Sequence, residues 1–178
     1  MLALGFSAAA PRGLNVLLVD GGDHSYFHDR AGFRWGTYVL DDAIPAAVRR
    51  LHADPHRVAI GGISMGGFGA LDLARIAPGR FCAVGGHSAA LWLRGADTPA
   101  GAFDDAGDFA RHDVLHRPFR YRGPLWIDVG AADPFRAADT AFARAHRARF
   151  HVWPGGHDGA YWKTHLGAYL AFYVRSCA

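Results

Sequence analysis

A serine, an aspartate and a histidine occur in this sequence in settings that suit nucleophilic catalysis. Ser64 is the centre of residues 62–66, GISMG, which match the pattern G-x-S-x-G. Asp133 follows in the stretch GAADP, and His157 follows in PGGHD. A serine hydroxyl is a weak nucleophile that needs a base to take its proton, and the base needs an acid to orient it. These three residue types therefore predict a serine nucleophile with its base and acid.

The glycines around Ser64 have a steric role. They let a strand and a helix pass each other through a tight turn, so that the serine hydroxyl projects above the sheet. The backbone N–H of Met65, at the start of the helix, can then stabilise an oxyanion. The alternative is a glycine-rich turn in which Ser64 only caps the helix. We expect Ser64 to be the nucleophile and Met65 to be one oxyanion donor.

The candidate acid and base each follow a predicted strand. Asp133 comes after the apolar run 125–130, whereas Asp128 lies inside that run and is the weaker candidate. His157 comes after the run 149–153 and a Pro-Gly-Gly turn. The alternatives are a helix cap for Asp133 and a surface loop for His157. We expect Asp133 to orient His157, and His157 to act as the general base.

Short apolar runs alternate with helix-length segments along the whole chain. The predicted strands are residues 15–20, 57–63, 81–86, 125–130 and 149–153. The predicted helices are residues 41–52, 65–76, 135–146 and 161–176. This alternation predicts an α/β fold with a doubly wound, mainly parallel sheet of about five strands. Ligands bind beyond the carboxyl ends of such strands, where the three candidate residues should meet.

The chain of 178 residues is long enough for one domain, residues 1–178, and no repeat or linker interrupts it. Residues 2–10 predict the tail of a helix that ends at Pro11. Residues 93–122 fit no periodic pattern and contain several glycines and prolines. We expect that segment to be an irregular, cap-like insertion over the site or a partly mobile loop.

The composition excludes several classes of protein. With 51% apolar and 20% charged residues, the chain can build a core and is not disordered. No apolar run approaches the roughly 20 residues of a membrane-spanning helix. Cys82 and Cys177 cannot make a disulfide framework and lack metal-ligand spacing. The first residues lack the basic region of a signal peptide, so we expect a cytoplasmic protein, with secretion left open.

The positive charge is spread along the chain. The 19 Lys and Arg residues exceed the 16 Asp and Glu residues by three, which gives a net charge of +3. They form no long basic stripe, so we expect no nucleic-acid partner. The densest group either belongs to a solvated loop or binds an anionic substrate; it consists of Arg111, Arg117, Arg120 and Arg122.

Four further residues are candidate substrate-binding groups: His24, Tyr26, His87 and Trp162. His24 and His28 belong to one loop. The alternatives for this loop are that it lines a substrate cleft, holds a metal or lies at the surface. Because helix signals are missing there, we expect no metal. His87 ends a predicted strand and either borders the cleft or is packed. Trp162 either walls an acyl pocket or belongs to the core. We expect no cofactor.

The blocks GISMGGFGAL, GAADPF and PGGHDGAYWKTHLGAYLAFY together resemble the α/β-hydrolases of the esterase D type. That group includes feruloyl and acetyl-xylan esterases, S-formylglutathione hydrolase and the mycolyltransferases called antigen 85. The resemblance runs from about Val16 to the C-terminus. It implies that Ser64 is the nucleophile, Asp133 the acid, His157 the base and Met65 one oxyanion donor. The family's first strands, and the loop that supplies the second oxyanion N–H, have no counterpart here, so we expect an N-terminally shortened fold.

We therefore expect a serine esterase that cleaves small-molecule carboxylic esters through an acyl-enzyme. One alternative is an acyltransferase of the mycolyltransferase type, in which a sugar or alcohol takes the place of water. Another is a weakly active homologue that binds a ligand or another chain. The sheet edge left by missing strands would favour a homodimer.

Overall fold

The computed structural model describes residues 4–178, and its centre is a parallel β-sheet. A short antiparallel hairpin, β1 (Asp29–Arg30) and β2 (Phe33–Arg34), precedes that sheet. The sheet itself has four parallel strands that lie side by side in chain order: β3 (Ala59–Ile63), β4 (Ala83–His87), β5 (Leu125–Gly130) and β6 (Arg149–Trp153). These four strands agree with the predicted ones to within two residues at each end.

Helices connect and flank the strands. In chain order they are α1 (Phe6–Ala9), α2 (Trp35–Thr37), a π-helical turn (Tyr38–Ala43), α3 (Ile44–Leu51), α4 (Met65–Ile76), a 3₁₀ turn (Gly95–Asp97), α5 (Ala106–His112), α6 (Arg136–Ala145) and α7 (Gly159–Ser176). Within the described part of the chain, none of these helices is both long and apolar enough to cross a membrane.

The two faces of the sheet are covered by different helices. Successive side chains of a strand point to opposite faces. Val84 and Ile127 therefore pack with apolar residues of α4 and α6 on one face. Trp126, next to Ile127 in the chain, packs with Phe172 of α7 on the other face. Helices thus cover both faces, and the prediction of a doubly wound α/β sheet is confirmed.

One predicted strand is not formed. Residues 15–20 make no strand pairing, and Leu17 is 44% exposed. A strand needs a hydrogen-bonding neighbour, and within residues 4–178 no strand lies along the outer edge of β3. The prediction of a fifth parallel strand was therefore wrong, because an apolar run shows that a segment can pair but not that a neighbour is present. The predicted homodimer through the sheet edge stays a prediction.

Two predicted helix boundaries also differ. The predicted helix 41–52 begins earlier, since helical backbone runs without a break from Trp35 to Leu51. Asp41 and Asp42 consequently lie inside the π-helical turn and do not cap a helix. Of the predicted helix 2–10, the structure shows α1, and residues 1–3 lie outside the described part.

Buried histidine–aspartate pairs hold the irregular segment 93–122 against the rest of the protein. His28 Nε2 lies 2.9 Å from Asp108 Oδ2, and His112 Nδ1 lies 2.7 Å from Asp72 Oδ2. All four side chains are buried. Since the segment also places Phe119 in the main core, it packs as an integral part of the α4 face.

The two cysteines form one disulfide bond. It joins Cys82, directly before β4, to Cys177, directly after α7, across 95 residues of sequence. The bond therefore ties the end of the last helix to the amino end of the sheet.

Candidate active site

Ser64, His157 and Asp133 form a continuous hydrogen-bonded chain at the carboxyl end of the sheet. His157 Nε2 lies 2.9 Å from Ser64 Oγ, and His157 Nδ1 lies 2.9 Å from Asp133 Oδ2. The three residues follow β3, β6 and β5, respectively. The histidine side chain is 24% exposed, so a substrate can reach it. Both distances fit a nucleophile, its base and an orienting acid.

The turn at Ser64 has a backbone conformation that side-chain-bearing residues rarely adopt. Ser64 has φ +55° and ψ −120° between the end of β3 and the start of α4. A Cβ atom at Gly62 would overlap the backbone of Gly66. The first glycine of the pattern therefore lets the strand and the helix approach each other. Such strained turns hold a nucleophile in a fixed position.

Backbone hydrogen bonds fix the same turn from behind. The carbonyl oxygen of Ser64 accepts hydrogen bonds from the N–H groups of Phe68 (3.1 Å) and Ala90 (2.9 Å). Met65 is the first residue of α4. N–H groups in the first turn of a helix have no intrahelical acceptor, and they lie at the positive end of the helix dipole. The Met65 N–H is thus placed to interact with an anion formed next to Ser64.

The loops that carry Asp133 and His157 are tied together. The N–H of Ala132 donates to the carbonyl oxygen of Gly155 at 2.9 Å. A Cβ atom at Gly130 would lie only 2.6 Å from that same oxygen. The glycine at the end of β5 therefore allows the two loops to approach closely, which sets the distance between the acid and the base.

The Asp133 carboxyl is held in its ionised form. Its side chain is fully buried, which by itself raises its pKa. Hydrogen bonds from His157 and from the backbone N–H of Phe135 (2.8 Å) outweigh the burial, so the pKa of Asp133 lies below its ordinary value. A buried carboxylate of this kind can orient an imidazole and stabilise the imidazolium.

Comparison with known proteins identifies the family. A family model described as "Putative esterase" matches residues 25–173, which include Ser64, Asp133 and His157. The chain belongs to this esterase family. Its sheet and helices have the α/β-hydrolase fold.

One relative and several solved structures are similar to this chain. The S-formylglutathione hydrolase of Paracoccus denitrificans is 29% identical over 156 residues, which cover 80% of this chain and 55% of the relative. This chain therefore spans about half the length of that relative. Among solved structures, a ferulic acid esterase has a TM-score of 0.72 at 24% identity, covering 85% of this chain and 65% of the other.

Two further structures share the fold. The serine hydrolase FphF of Staphylococcus aureus has a TM-score of 0.69 at 21% identity, covering 86% of this chain and 69% of the other chain. MPT51 of Mycobacterium tuberculosis has a TM-score of 0.65 at 20% identity, covering 89% and 75%.

Two aromatic rings lie beside the imidazole of His157. The ring of Phe135 lies 5.1 Å from that of His157, and the ring of Trp162 lies 5.0 Å away and nearly perpendicular to it. Trp92 packs edge-on against Phe135 at 4.9 Å, and its Nε1–H donates to the Tyr26 hydroxyl at 3.3 Å. The structure therefore places Trp162 beside the candidate base, and it connects Tyr26 to the same region.

Phe135 was not among the sequence-predicted site residues. The signal that could have found it is its position two residues after Asp133. The loop that carries the acid also presents this ring to the imidazole.

The carbonyl oxygen of His87 accepts a hydrogen bond from the N–H of Ser64 at 3.1 Å, but the side chain of His87 faces away from the candidate site. The candidate contact of this side chain with substrate was therefore wrong. His87 is 1% exposed, and its Nδ1 lies 2.6 Å from Asp128 Oδ1. Its Nε2 lies 2.8 Å from the hydroxyl of Tyr173 on α7. Because side chains alternate along β4, position 87 faces α7 together with positions 83 and 85. The packed alternative describes this histidine.

The two histidines of the loop before β1 also lie outside the triad. His24 is exposed and lines a small cavity of about 260 Å³ whose lining contains neither Ser64 nor His157. His28 is fully buried against Asp108, as described above. Within residues 4–178, no group of three or more His, Cys, Asp or Glu side chains could hold a metal ion.

Proposed function

We propose that this esterase hydrolyses carboxylic esters through an acyl-enzyme on Ser64. The observation that carries the proposal is the hydrogen-bonded chain Ser64–His157–Asp133, with both nitrogen–oxygen distances at 2.9 Å. His157 takes the proton of Ser64 Oγ as that oxygen attacks the acyl carbon. The negative charge that develops on the carbonyl oxygen is stabilised by the Met65 N–H.

The second half of the reaction returns the enzyme to its starting state. The imidazolium of His157 gives its proton to the leaving alkoxide, which departs as the alcohol. A water molecule then loses a proton to His157 and attacks the acyl carbon, and Ser64 leaves as the free hydroxyl with that proton. Asp133 stays ionised throughout and stabilises the imidazolium. Its lowered pKa supports this role.

The relatives support the same reaction class. They include an S-formylglutathione hydrolase, a ferulic acid esterase and a fluorophosphonate-binding serine hydrolase. The rings of Phe135 and Trp162 beside His157 further favour an apolar or aromatic acyl group in this chain.

The central test is esterase activity on a short p-nitrophenyl ester. We expect turnover by the wild-type protein, loss of turnover in Ser64→Ala, and labelling by a fluorophosphonate that requires Ser64. Ser7→Ala, which changes an exposed serine on α1, is the matched control and should react as the wild type does. A folded wild-type protein that neither turns over esters nor is labelled would favour the alternative of a binding homologue.

Hydrolysis and acyl transfer share the acyl-enzyme and differ only in the acceptor. No contact in the described residues favours a sugar or alcohol over water, so hydrolysis is the proposed reaction. Adding methanol or glucose to the assay and analysing the products by mass spectrometry distinguishes the two. An acylated acceptor as the main product would assign the chain to the acyltransferases.

We infer that the protein works in an oxidising compartment. Disulfides persist in such compartments and are rare in the cytosol. The bond between Cys82 and Cys177 therefore favours a location outside the reducing cytosol over the cytoplasmic one that the sequence predicts. Thiol titration of the protein isolated from its native cells is the test, and two free thiols would contradict the inference.

A further inference from the structure

A second concave site lies at the amino end of the sheet. It is a cavity of about 800 Å³, formed where β5 and β6 begin and where α6 and α7 end. The candidate catalytic residues follow the carboxyl ends of β3, β5 and β6. A strand of six residues such as β5 is roughly 20 Å long. The cavity and the triad are therefore separate sites at opposite ends of the sheet.

The cavity is lined by four arginines that come from four different segments. Arg122 precedes β5, Arg147 follows α6, Arg149 begins β6 and Arg175 lies in the last turn of α7. No carboxylate is among the lining residues. Within residues 4–178, none of the four guanidinium groups lies within 4.0 Å of a carboxylate oxygen. Four arginines thus line one concavity without a carboxylate partner.

The sequence explains why these charges are uncompensated. Residues 114–178 contain nine Lys and Arg residues but only four acidic ones. Three of the four, Asp128, Asp133 and Asp139, are buried. The fourth, Asp158, caps the first turn of α7, at the opposite end of that helix from Arg175. Elsewhere in the chain, arginines such as Arg30 and Arg75 pair with aspartates.

Helix ends alone do not account for the cluster. Basic side chains near the carboxyl end of a helix offset the helix dipole, and this explanation covers Arg147 and Arg175. It does not cover Arg122, which lies in a loop, or Arg149, which lies in a strand with its guanidinium 4.9 Å from the Trp126 ring centroid. These two arginines add positive charge that is not needed to offset a helix dipole.

We propose that this cavity binds a small organic polyanion that carries at least two phosphate groups. A guanidinium group binds phosphate oxygens through two parallel hydrogen bonds, and arginine is the residue of choice for such sites. The volume falls within the usual range of about 300–1,000 Å³ for small-molecule sites, which is more than a single inorganic ion needs. The buried rings of Tyr121 and Phe172 give the cavity apolar walls for the organic part of the ligand.

Isothermal titration calorimetry with pyrophosphate, ATP and inorganic phosphate tests the proposal. We expect pyrophosphate and ATP to bind more tightly than phosphate, with an affinity that falls as salt rises. The double variant Arg122→Gln/Arg147→Gln should weaken binding of both by at least about tenfold, since it removes two guanidinium groups that donate charged hydrogen bonds. Ser64→Ala should bind as the wild type does, which separates this site from the proposed esterase reaction.

The matched control is the double variant Arg120→Gln/Arg144→Gln. Both arginines are exposed neighbours of the cavity that do not line it, and the change in net charge is the same. The control should keep the wild-type affinity. Equal losses in the two double variants would overturn the proposal, because they would indicate general attraction to a positive surface. No binding of pyrophosphate or ATP to the folded protein at low salt would overturn it as well.

Lipid headgroups are a second source of phosphate. Co-sedimentation with phosphatidylglycerol vesicles measures that source directly. Vesicle binding that depends on Arg122 and Arg147, together with no binding of pyrophosphate or ATP, would replace the small-molecule ligand with a membrane surface and so overturn the proposal.

Discussion

The carboxyl group of Asp139 is buried within electrostatic reach of Asp133, six residues earlier in the chain. Asp139 is fully buried on α6. Burial, and then the negative charge of Asp133, raise the pKa of Asp139 well above its ordinary value, although the backbone N–H of Ala89 opposes this shift. The pKa values of the two carboxyl groups are thus shifted in opposite directions, that of Asp133 downward and that of Asp139 upward.

The raised pKa of Asp139 predicts a pH-dependent effect of Asp139→Asn. In the unfolded chain Asp139 ionises near its ordinary pKa of about 3.9, whereas in the folded chain it holds its proton to a higher pH. Above that pH the unfolded state binds fewer protons, so the residue lowers the stability of the fold as pH rises. We expect the Tm of Asp139→Asn relative to wild type to be higher at pH 7.5 than at pH 4. A Tm difference that is the same at both pH values would contradict the assignment.

Activity gives a second readout for the same variant. Asparagine resembles the protonated carboxyl group that the raised pKa of Asp139 favours, so kcat of Asp139→Asn should stay within a few-fold of the wild-type value at pH 7.5. A large loss of kcat in a folded protein would show that Asp139 carries a charge or a proton that the reaction uses.

Substitution of Asp133, the proposed orienting acid, should affect activity much more strongly. Asp133→Asn removes the charge that stabilises the imidazolium and favours the wrong tautomer of His157, so we expect kcat to fall by about 10⁴-fold. The rate of fluorophosphonate labelling should fall as well, because Ser64 loses its effective base. Asp97→Asn, at an exposed pair with Arg94, is the control and should leave both rates unchanged. A loss of kcat below tenfold in Asp133→Asn would remove Asp133 from the proposed triad.

Gly62, two residues before Ser64, predicts an effect on the stability of the fold. A methyl group at position 62 would overlap the backbone of Gly66. Since backbone atoms cannot swing away as a side chain can, Gly62→Ala should lower the free energy of unfolding by at least about 1–3 kcal/mol, the usual cost of overpacking. Gly79→Ala is the matched control, because a Cβ atom there meets nothing within 4 Å. Denaturant unfolding of the two variants measures the difference, and equal stabilities would contradict the predicted overlap.

The parts of the fold that could be predicted from sequence are those with local signals. Helix α4 has the predicted bounds, because the glycine-serine turn starts it and Pro78 follows its end. The relative positions of Ser64, Asp133 and His157 also follow from local patterns, since each residue comes directly after a parallel strand.

The features that the sequence analysis missed depend on distant partners. The run 15–20 has the composition of a strand, but whether it pairs depends on a neighbour elsewhere in the fold. The sequence left His87 either bordering the cleft or packed, because its partners Asp128 and Tyr173 are 41 and 86 residues away. The arginines of the amino-end cavity are likewise spread over four segments, and only the fold brings them together.

The disulfide between Cys82 and Cys177 should contribute measurably to the free energy of unfolding. It closes a loop of 95 residues, and a crosslink of that length stabilises a fold mainly by restricting the unfolded chain. We expect the double variant Cys82→Ser/Cys177→Ser to lose about 2–5 kcal/mol of unfolding free energy in denaturant. Reduced wild-type protein should match that variant, and dithiothreitol should leave the variant itself unchanged. Unfolding midpoints that are insensitive to dithiothreitol in the wild type would show that the two cysteines are not joined.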